Sequence, residues 1–229
     1  MPAAPTLQLH AAPKPPAATG DDGPVSPAWQ SPRAIGFVLM AFALLLSADL
    51  ISKRVAFDQL VISQRGTPPQ RVVIESREVR FVPGWLHFTA TANQGAVFGL
   101  GQGKRWLFVT VSVVALGFLG YLFTTTDRRH WPAHLLLAMF LAGVVGNMYD
   151  RLAFGFVRDM LFALPGFSWP GTWQIPVLGY PDRADRHVFP WVFNLADSYL
   201  CVGVAVVLLH ALWPVGRSAG RSAGVSAGA

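Results

Sequence analysis

Two aspartates 38 residues apart could share one chemical task. Asp159 follows an apolar run and a glycine in "GVVGNMYDRLAFGFVRDM", and Asp197 stands at the mouth of another apolar run in "VFNLADSYL". Apart from Arg158, neither has an obvious cationic neighbour in its own motif. Two carboxyls in one site cannot both ionise easily, so one keeps a proton at neutral pH. Such a pair can activate water with one member and protonate a carbonyl or leaving amine with the other. That is aspartic-protease chemistry. It needs no metal, no cofactor and no Ser or Cys nucleophile. The six His show no HExxH spacing, and neither GxSxG nor a phosphate-binding glycine loop is present. The single Cys, Cys201, excludes an intrachain disulfide and a Cys-based zinc cluster.

Other polar residues recur at helical spacing. Asp49 and Lys53 lie at i, i+4, and Asn147, Asp150 and Arg151 at i, i+3, i+4, so each set shares a helix face. Asp49–Lys53 and Asp150–Arg151 are expected to be structural ion pairs. Asn194 would cap the last helix with Asp197 at its third position, the commoner use of an isolated Asn-x-x-Asp. Ala138, Ala142 and Gly146, four apart, suit a helix-packing face. Gly95 and Gly99 are most simply turn glycines.

The elements that must position these groups are membrane spans. The chain is 52% hydrophobic and only 13% charged, where ordinary globular domains carry roughly 25% charged residues. The net charge of +6 is scattered among apolar runs and forms no stripe, which argues against a nucleic-acid partner and for a membrane surface. Four segments reach the ~20 residues a span requires: Ala34 to about Ile51, Trp106 to Thr125, Trp131 to Tyr149 and Phe193 to Trp213. The expected fold is an all-α membrane protein. Residues 34–213 form the membrane domain, 1–33 a disordered tail and 214–229 a flexible low-complexity tail. The one short connection, "TDRRH" at 126–130, carries Arg128 and Arg129 and is expected to be cytoplasmic. Both termini are then cytoplasmic, and the long loops, about 54–104 and 152–191, lie outside. In the first, Val79, Phe81, Leu86 and Phe88 alternate with polar residues around Pro83-Gly84, which predicts short strands about a turn. Asp49, Asn147, Asp150, Asp159 and Asp197 all fall near span ends on that outer side. Ionisable groups at such depths face the protein interior or a water-filled cavity and are functional by default. A proton or ion transporter with relay carboxylates is therefore a rival reading, and a non-catalytic scaffold a third.

At this point the motifs resemble those of the bacterial lipoprotein signal peptidases, the type II signal peptidases. Asp49-Leu-Ile-Ser-Lys53 resembles the family's Asp-x-x-x-Lys, and "NQGAVFG" (93–99) its Asn-x-Gly-Ala-x-Phe-Gly. Gly146 to Arg151 resembles its Gly-Asn-x-x-Asp-Arg, Gly155 to Asp159 its Gly-x-Val-x-Asp, and Phe193 to Ser198 its Phe-Asn-x-Ala-Asp-Ser. The resemblance covers about residues 34–213. It implies a catalytic dyad of Asp159 and Asp197, supported by Asp49, Lys53, Asn93, Gly95, Asn147, Asp150, Arg151, Asn194 and Ala196. It implies a monomeric inner-membrane enzyme in contact with lipid, with its active site toward the periplasm and a small β-cradle there. Its substrates would be prolipoproteins, cut before a diacylglyceryl-modified Cys. This sequence departs from the pattern in the long interval from Asp159 to Asp197 and in "RGTPPQRVVIES" (65–76), which reads as an insertion.

Overall fold

In the computed structural model the residues described are 26–95, 103–169 and 187–212. Four helices dominate: α1 (Pro32–Leu60), α2 (Arg105–Thr125), α3 (Trp131–Phe154) and α4 (Leu195–Leu212). Each is long and apolar enough to cross a bilayer. Their outward faces carry Leu39, Leu44, Val111, Val114 and Leu208, all well exposed, as expected where hydrocarbon takes the place of water. Between α1 and α2 lie β1 (Val61–Arg65), β2 (Val73–Ser76), β3 (Val79–Val82) and β4 (Leu86–Asn93). Between α3 and α4 lie β5 (Val157–Ala163) and β6 (Val192–Phe193).

The all-α expectation is therefore inexact. β1 and β2 make a two-stranded antiparallel sheet, and β3, β4, β5 and β6 make a four-stranded antiparallel one in that order. The alternation at Val79–Phe88 does mark β3 and β4, with the turn at Pro83-Gly84. The β5–β6 half was not foreseen, since a two-residue strand leaves no period to read. The first loop also starts later than residue 54. Helix α1 runs on to Leu60, because Arg54 and Asp58 form an exposed i, i+4 pair at 3.6 Å on a helical turn that has left the apolar stretch. Likewise α3 continues to Phe154, and the second loop begins only at Gly155.

Helix α3 is central, packed against α1, α2 and α4. The four-spaced small residues make this possible: Ala138, Ala142 and Gly146 are buried on it. A Cβ at Gly146 would collide with Asp49 Oδ2 and lie 3.5 Å from the Cβ of Ala196, so only glycine lets α1 and the start of α4 approach α3 here. At the other end of the bundle the segment before α1 is tied to the α2–α3 turn. Ala28 N donates to Thr126 O at 2.8 Å, and Arg128 N to Ser26 O at 2.8 Å.

Candidate active site

The end of α3 and the start of β5 form a single folded-back unit. Gly155 terminates the helix with φ +81°, the left-handed conformation of a glycine C-cap. The reversal returns Arg158 to Asp150, eight residues earlier. Asp150 Oδ2 accepts from the Arg158 backbone N at 2.9 Å, and Oδ1 accepts from Arg158 Nε at 3.1 Å and Nη2 at 2.8 Å. Arg158 also lies over the Phe154 ring at 4.3 Å. The partner of Asp150 on this side is thus Arg158 rather than the expected Arg151. Helical neighbours one residue apart diverge by about 100°, whereas the Gly155 turn reverses the chain. Asp159 is the next residue, held opposite Thr91 by the β4–β5 ladder.

Asp197 is positioned from the other side of the same sheet. β6 pairs with β5 through Leu161↔Phe193 and Phe162↔Val192, which delivers Asn194 and the first turn of α4. Asn194 and Asp197 form a reciprocal cap. The Asp197 backbone N donates to Asn194 Oδ1 at 3.0 Å, and the Asn194 backbone N donates to Asp197 Oδ2 at 3.3 Å. The expected cap is present, and it does more than start a helix. Asn194 Nδ2 donates to Asp159 Oδ1 at 2.6 Å and to Asn147 Oδ1 at 3.2 Å. Asn147 Nδ2 donates to Asp197 Oδ1 at 2.8 Å. Each aspartate therefore accepts from one of two asparagine amides that are hydrogen-bonded to each other.

Behind them lies a buried ionic network. Lys53 Nζ sits 2.8 Å from Asp49 Oδ2 and 3.5 Å from Asp150 Oδ2, and donates to Asn147 Oδ1 at 3.1 Å. Asp49 Oδ1 accepts from the Ala196 backbone N at 2.9 Å. The Asp49–Lys53 pair expected from its spacing is thus present, and Lys53 also bridges to α3. Lys53, Asp49 and Asp150 are fully buried. Removing one partner from such a set costs about 3–5 kcal/mol, because the others are left buried and unpaired. Arg151 has a different place. It donates to Gly95 O at 2.8 Å and to Asn147 O at 3.4 Å, and lies over the Phe108 ring of α2 at 4.9 Å. Asn93 Oδ1 accepts from Gly95 N at 3.0 Å, so Gly95 does sit in a bend. Gly99 falls outside the described residues.

Among the described residues the network brings together four carboxyls (Asp49, Asp150, Asp159 and Asp197) but only three cations (Lys53, Arg158 and Arg151). One retained proton would balance them, and Asp159 is the group best placed to keep it. Its side chain is 1% exposed. Burial raises its carboxyl well above the ordinary carboxylate range and the negative charge of Asp197 pushes the same way, while the amides of Asn194 and Asn93 act against them. Its Oδ2 has no hydrogen-bond partner among the described residues. Beside this strand lies an apolar cavity of about 460 Å³, lined by Val55, Ala56 and Leu60 of α1, Phe88 of β4, Met160 of β5 and Leu195 of α4.

Comparison with known proteins places the chain in a family. The profile of the family described as signal peptidase (SPase) II matches residues 41–213. The chain belongs to the signal peptidase II family. Among curated relatives, the lipoprotein signal peptidase of Desulfitobacterium hafniense (strain DSM 10664 / DCB-2) is 30% identical over 139 residues, 61% of this chain and 77% of that one. The lipoprotein signal peptidase of Streptococcus pyogenes serotype M1 is 33% identical over 133 residues, 58% of this chain and 72% of that one. A solved structure described as a bacterial membrane enzyme, determined by the in meso method at 2.3 Å resolution, superposes with a TM-score of 0.57. It covers 78% of this chain and 88% of its own at 22% identity, a likeness of fold. As a signal peptidase II, the chain is a multi-pass membrane protease that processes lipoproteins.

Two residues of the site escaped the sequence reading in their present roles. Arg158 was noticed only as a neighbour of Asp159, and its pairing with Asp150 depends on the Gly155 turn. Gln94 lay inside a motif as its variable position and carried no signal of its own.

Proposed function

We propose that Asp159 and Asp197 are the catalytic pair that cleaves prolipoproteins ahead of the diacylglyceryl-modified Cys. The observation that carries this reading is a chain of two bonded amides: Asn194 donates to Asp159, Asn147 to Asp197, and Asn194 to Asn147, which ties two carboxyls from different elements into one site. The ionised carboxylate takes a proton from water as the water attacks the scissile carbonyl, and the protonated one donates to the developing oxyanion; collapse of the intermediate then breaks the C–N bond, the proton taken from water passes to the leaving amine and the hydroxyl proton returns to the other carboxylate. The apparent titrations belong to the pair rather than to either residue. Lys53, Asp49, Asp150, Arg158 and the Ala196 amide hold the three helices in register. Asn93, Gly95 and Arg151 form the rim on the α2 side. The apolar cavity beside Met160 receives an apolar group of the substrate.

The substrate enters from the bilayer of the inner membrane, with its scissile bond at the periplasmic interface. Arg128 and Arg129 in the short α2–α3 turn support a cytoplasmic location for that turn and for both termini. The site residues lie toward the opposite end of the bundle, on the C-terminal parts of α1 and α3, on β4, β5 and the residues just after β4, and at the start of α4. Residues 34–213 act as one catalytic domain, flanked by tails at 1–33 and 214–229. All the groups in this mechanism come from one chain, which supports a monomer. The transporter reading needs carboxylates free to exchange protons along a path, yet Asp49 and Asp150 are held by Lys53 and Arg158.

The decisive experiment is cleavage of a lipid-modified prolipoprotein in membranes by Asp159→Asn and Asp197→Asn. Each is expected to lower the rate by roughly 10²–10⁴-fold, the scale of a lost acid–base group, while the protein still inserts. Full activity in either variant would remove the pair from the mechanism.

A further inference from the structure

The loop between β1 and β2, residues 66–72, lies in the segment that reads as an insertion, and it is tied into the catalytic sheet at two points. The first is Gln94, directly after β4. Its Oε1 accepts from the Val72 backbone N at 2.8 Å, and its Nε2 donates to Gln70 O at 2.8 Å. The side chain is 8% exposed, and its amide has one hydrogen bond at each end. The second is Pro68, which sits against the turn that leads into β5: a Cβ at Gly155 would come within 2.6 Å of Pro68 Cβ and Cγ. Asn93 and Val157 are paired in the β4–β5 ladder. The loop therefore meets the chain just past both members of that pair, at Gln94 after β4 and at Gly155 before β5, at the open end of the ladder and four residues from Asp159.

What the grip controls follows from the neighbours of Gln94. Asn93 precedes it and turns its side chain to the next segment, accepting from Gly95 N, while the same amide lies beside Asp159. Gly95 follows it and receives Arg151 through its carbonyl. A shift of Gln94 would move both the amide beside Asp159 and the anchor of Arg151. A misplacement of about 1 Å at a reacting group can cost 10²-fold in rate, so a two-bond brace here bears on turnover rather than on membrane insertion.

We propose that Gln94 is a positioning residue for the cleavage reaction, and that the 66–72 loop acts through it and through Pro68 as a brace closing the β4–β5 ladder beside Asp159. The inference rests on the Asp159–Asp197 reading of the site. Gln94 touches no reacting atom and acts through Asn93 and Gly95. The loop gives this chain a support for its catalytic strand that is built from its own inserted segment.

The test measures cleavage of a lipid-modified prolipoprotein by purified full-length protein in detergent-lipid micelles, across a pH series. Gln94→Ala, Gln94→Glu and Pro68→Gly are compared with Asp159→Asn, and thermal unfolding is followed in parallel. Gln94→Ala is expected to lower kcat about tenfold with KM changed less than about twofold, and to displace the alkaline limb of the pH profile. Gln94→Glu keeps the acceptor for Val72 N and should recover part of the rate. Pro68→Gly combined with Gln94→Ala should cost less than the product of the single losses, because one brace is broken twice. An unchanged kcat in Gln94→Ala would overturn the proposal. So would a loss of rate that only tracks lowered thermal stability with the pH profile unmoved. Either result with Asp159→Asn inactive overturns the brace alone, whereas an active Asp159→Asn overturns the dyad beneath it.

Discussion

In the proposed dyad, Asp159 serves catalysis at the expense of stability. Its carboxyl is raised well above the ordinary range by burial and by Asp197, so the folded protein holds this proton more tightly than the unfolded chain does. Stability from this group is fully present below the unfolded carboxylate pKa of ~3.9 and is lost as pH rises toward the folded value. Asn in its place is a permanently uncharged analogue. Asp159→Asn is therefore expected to unfold at a higher temperature than the parent at pH 7–8, the two Tm values converging as pH falls toward ~4. Thermal melts of the solubilised protein across that range check it, and a variant that is less stable at every pH would contradict the raised proton affinity. The same residue marks what the sequence could show at this scale. The carboxyls, their cations and the capping Asn194 could all be named from residue type and spacing. That Asp150 binds Arg158 and that Asn194 reaches Asp159 could not, because those contacts join residues 8 and 35 apart across a turn and a sheet.

The elements differ in how openly they announce themselves. Helices α2 and α3 start where their apolar runs start, and the alternation in β3 and β4 is visible. β5 reads Val-Arg-Asp-Met-Leu-Phe-Ala with five of its seven residues consecutively or nearly fully buried, both apolar and charged. Period-2 analysis fails there because residues of both faces are buried: Arg158, Met160 and Phe162 on one, Val157 and Asp159 on the other. That cavity supplies the element-scale prediction. Ala56 lies on its α1 wall, and Ala56→Trp would occupy much of the space while leaving the ionic network at Lys53 intact. The expected outcome is a KM for lipid-modified substrate raised about tenfold, with kcat within about threefold, since lost binding of one apolar group is worth about 1–3 kcal/mol. Steady-state kinetics on a micellar substrate measures it. An unchanged KM would take the cavity out of substrate binding.

Across the whole molecule, the charged site, the two sheets and the ends of α1, α3 and α4 gather at one end, and the Arg128–Arg129 turn with the strap from Ser26 to Ala28 closes the other. The proposed orientation puts these ends on opposite sides of the membrane. In a Cys201→Ser background, Arg128→Cys should react with a membrane-impermeant thiol reagent only after the inner membrane is opened, and Val73→Cys, exposed on β2, in spheroplasts without opening. The reversed labelling pattern would invert the topology. Four spans, their order and the candidate carboxyls were legible in the sequence alone, because apolar length and carboxyl chemistry are properties of local composition. The tertiary structure decided that Asp150 pairs with Arg158, that Asp159 is buried beside Asn194 and that the 66–72 loop bonds to Gln94. Those outcomes depend on burial and on hydrogen bonds between residues far apart in the chain, and no local pattern carries either.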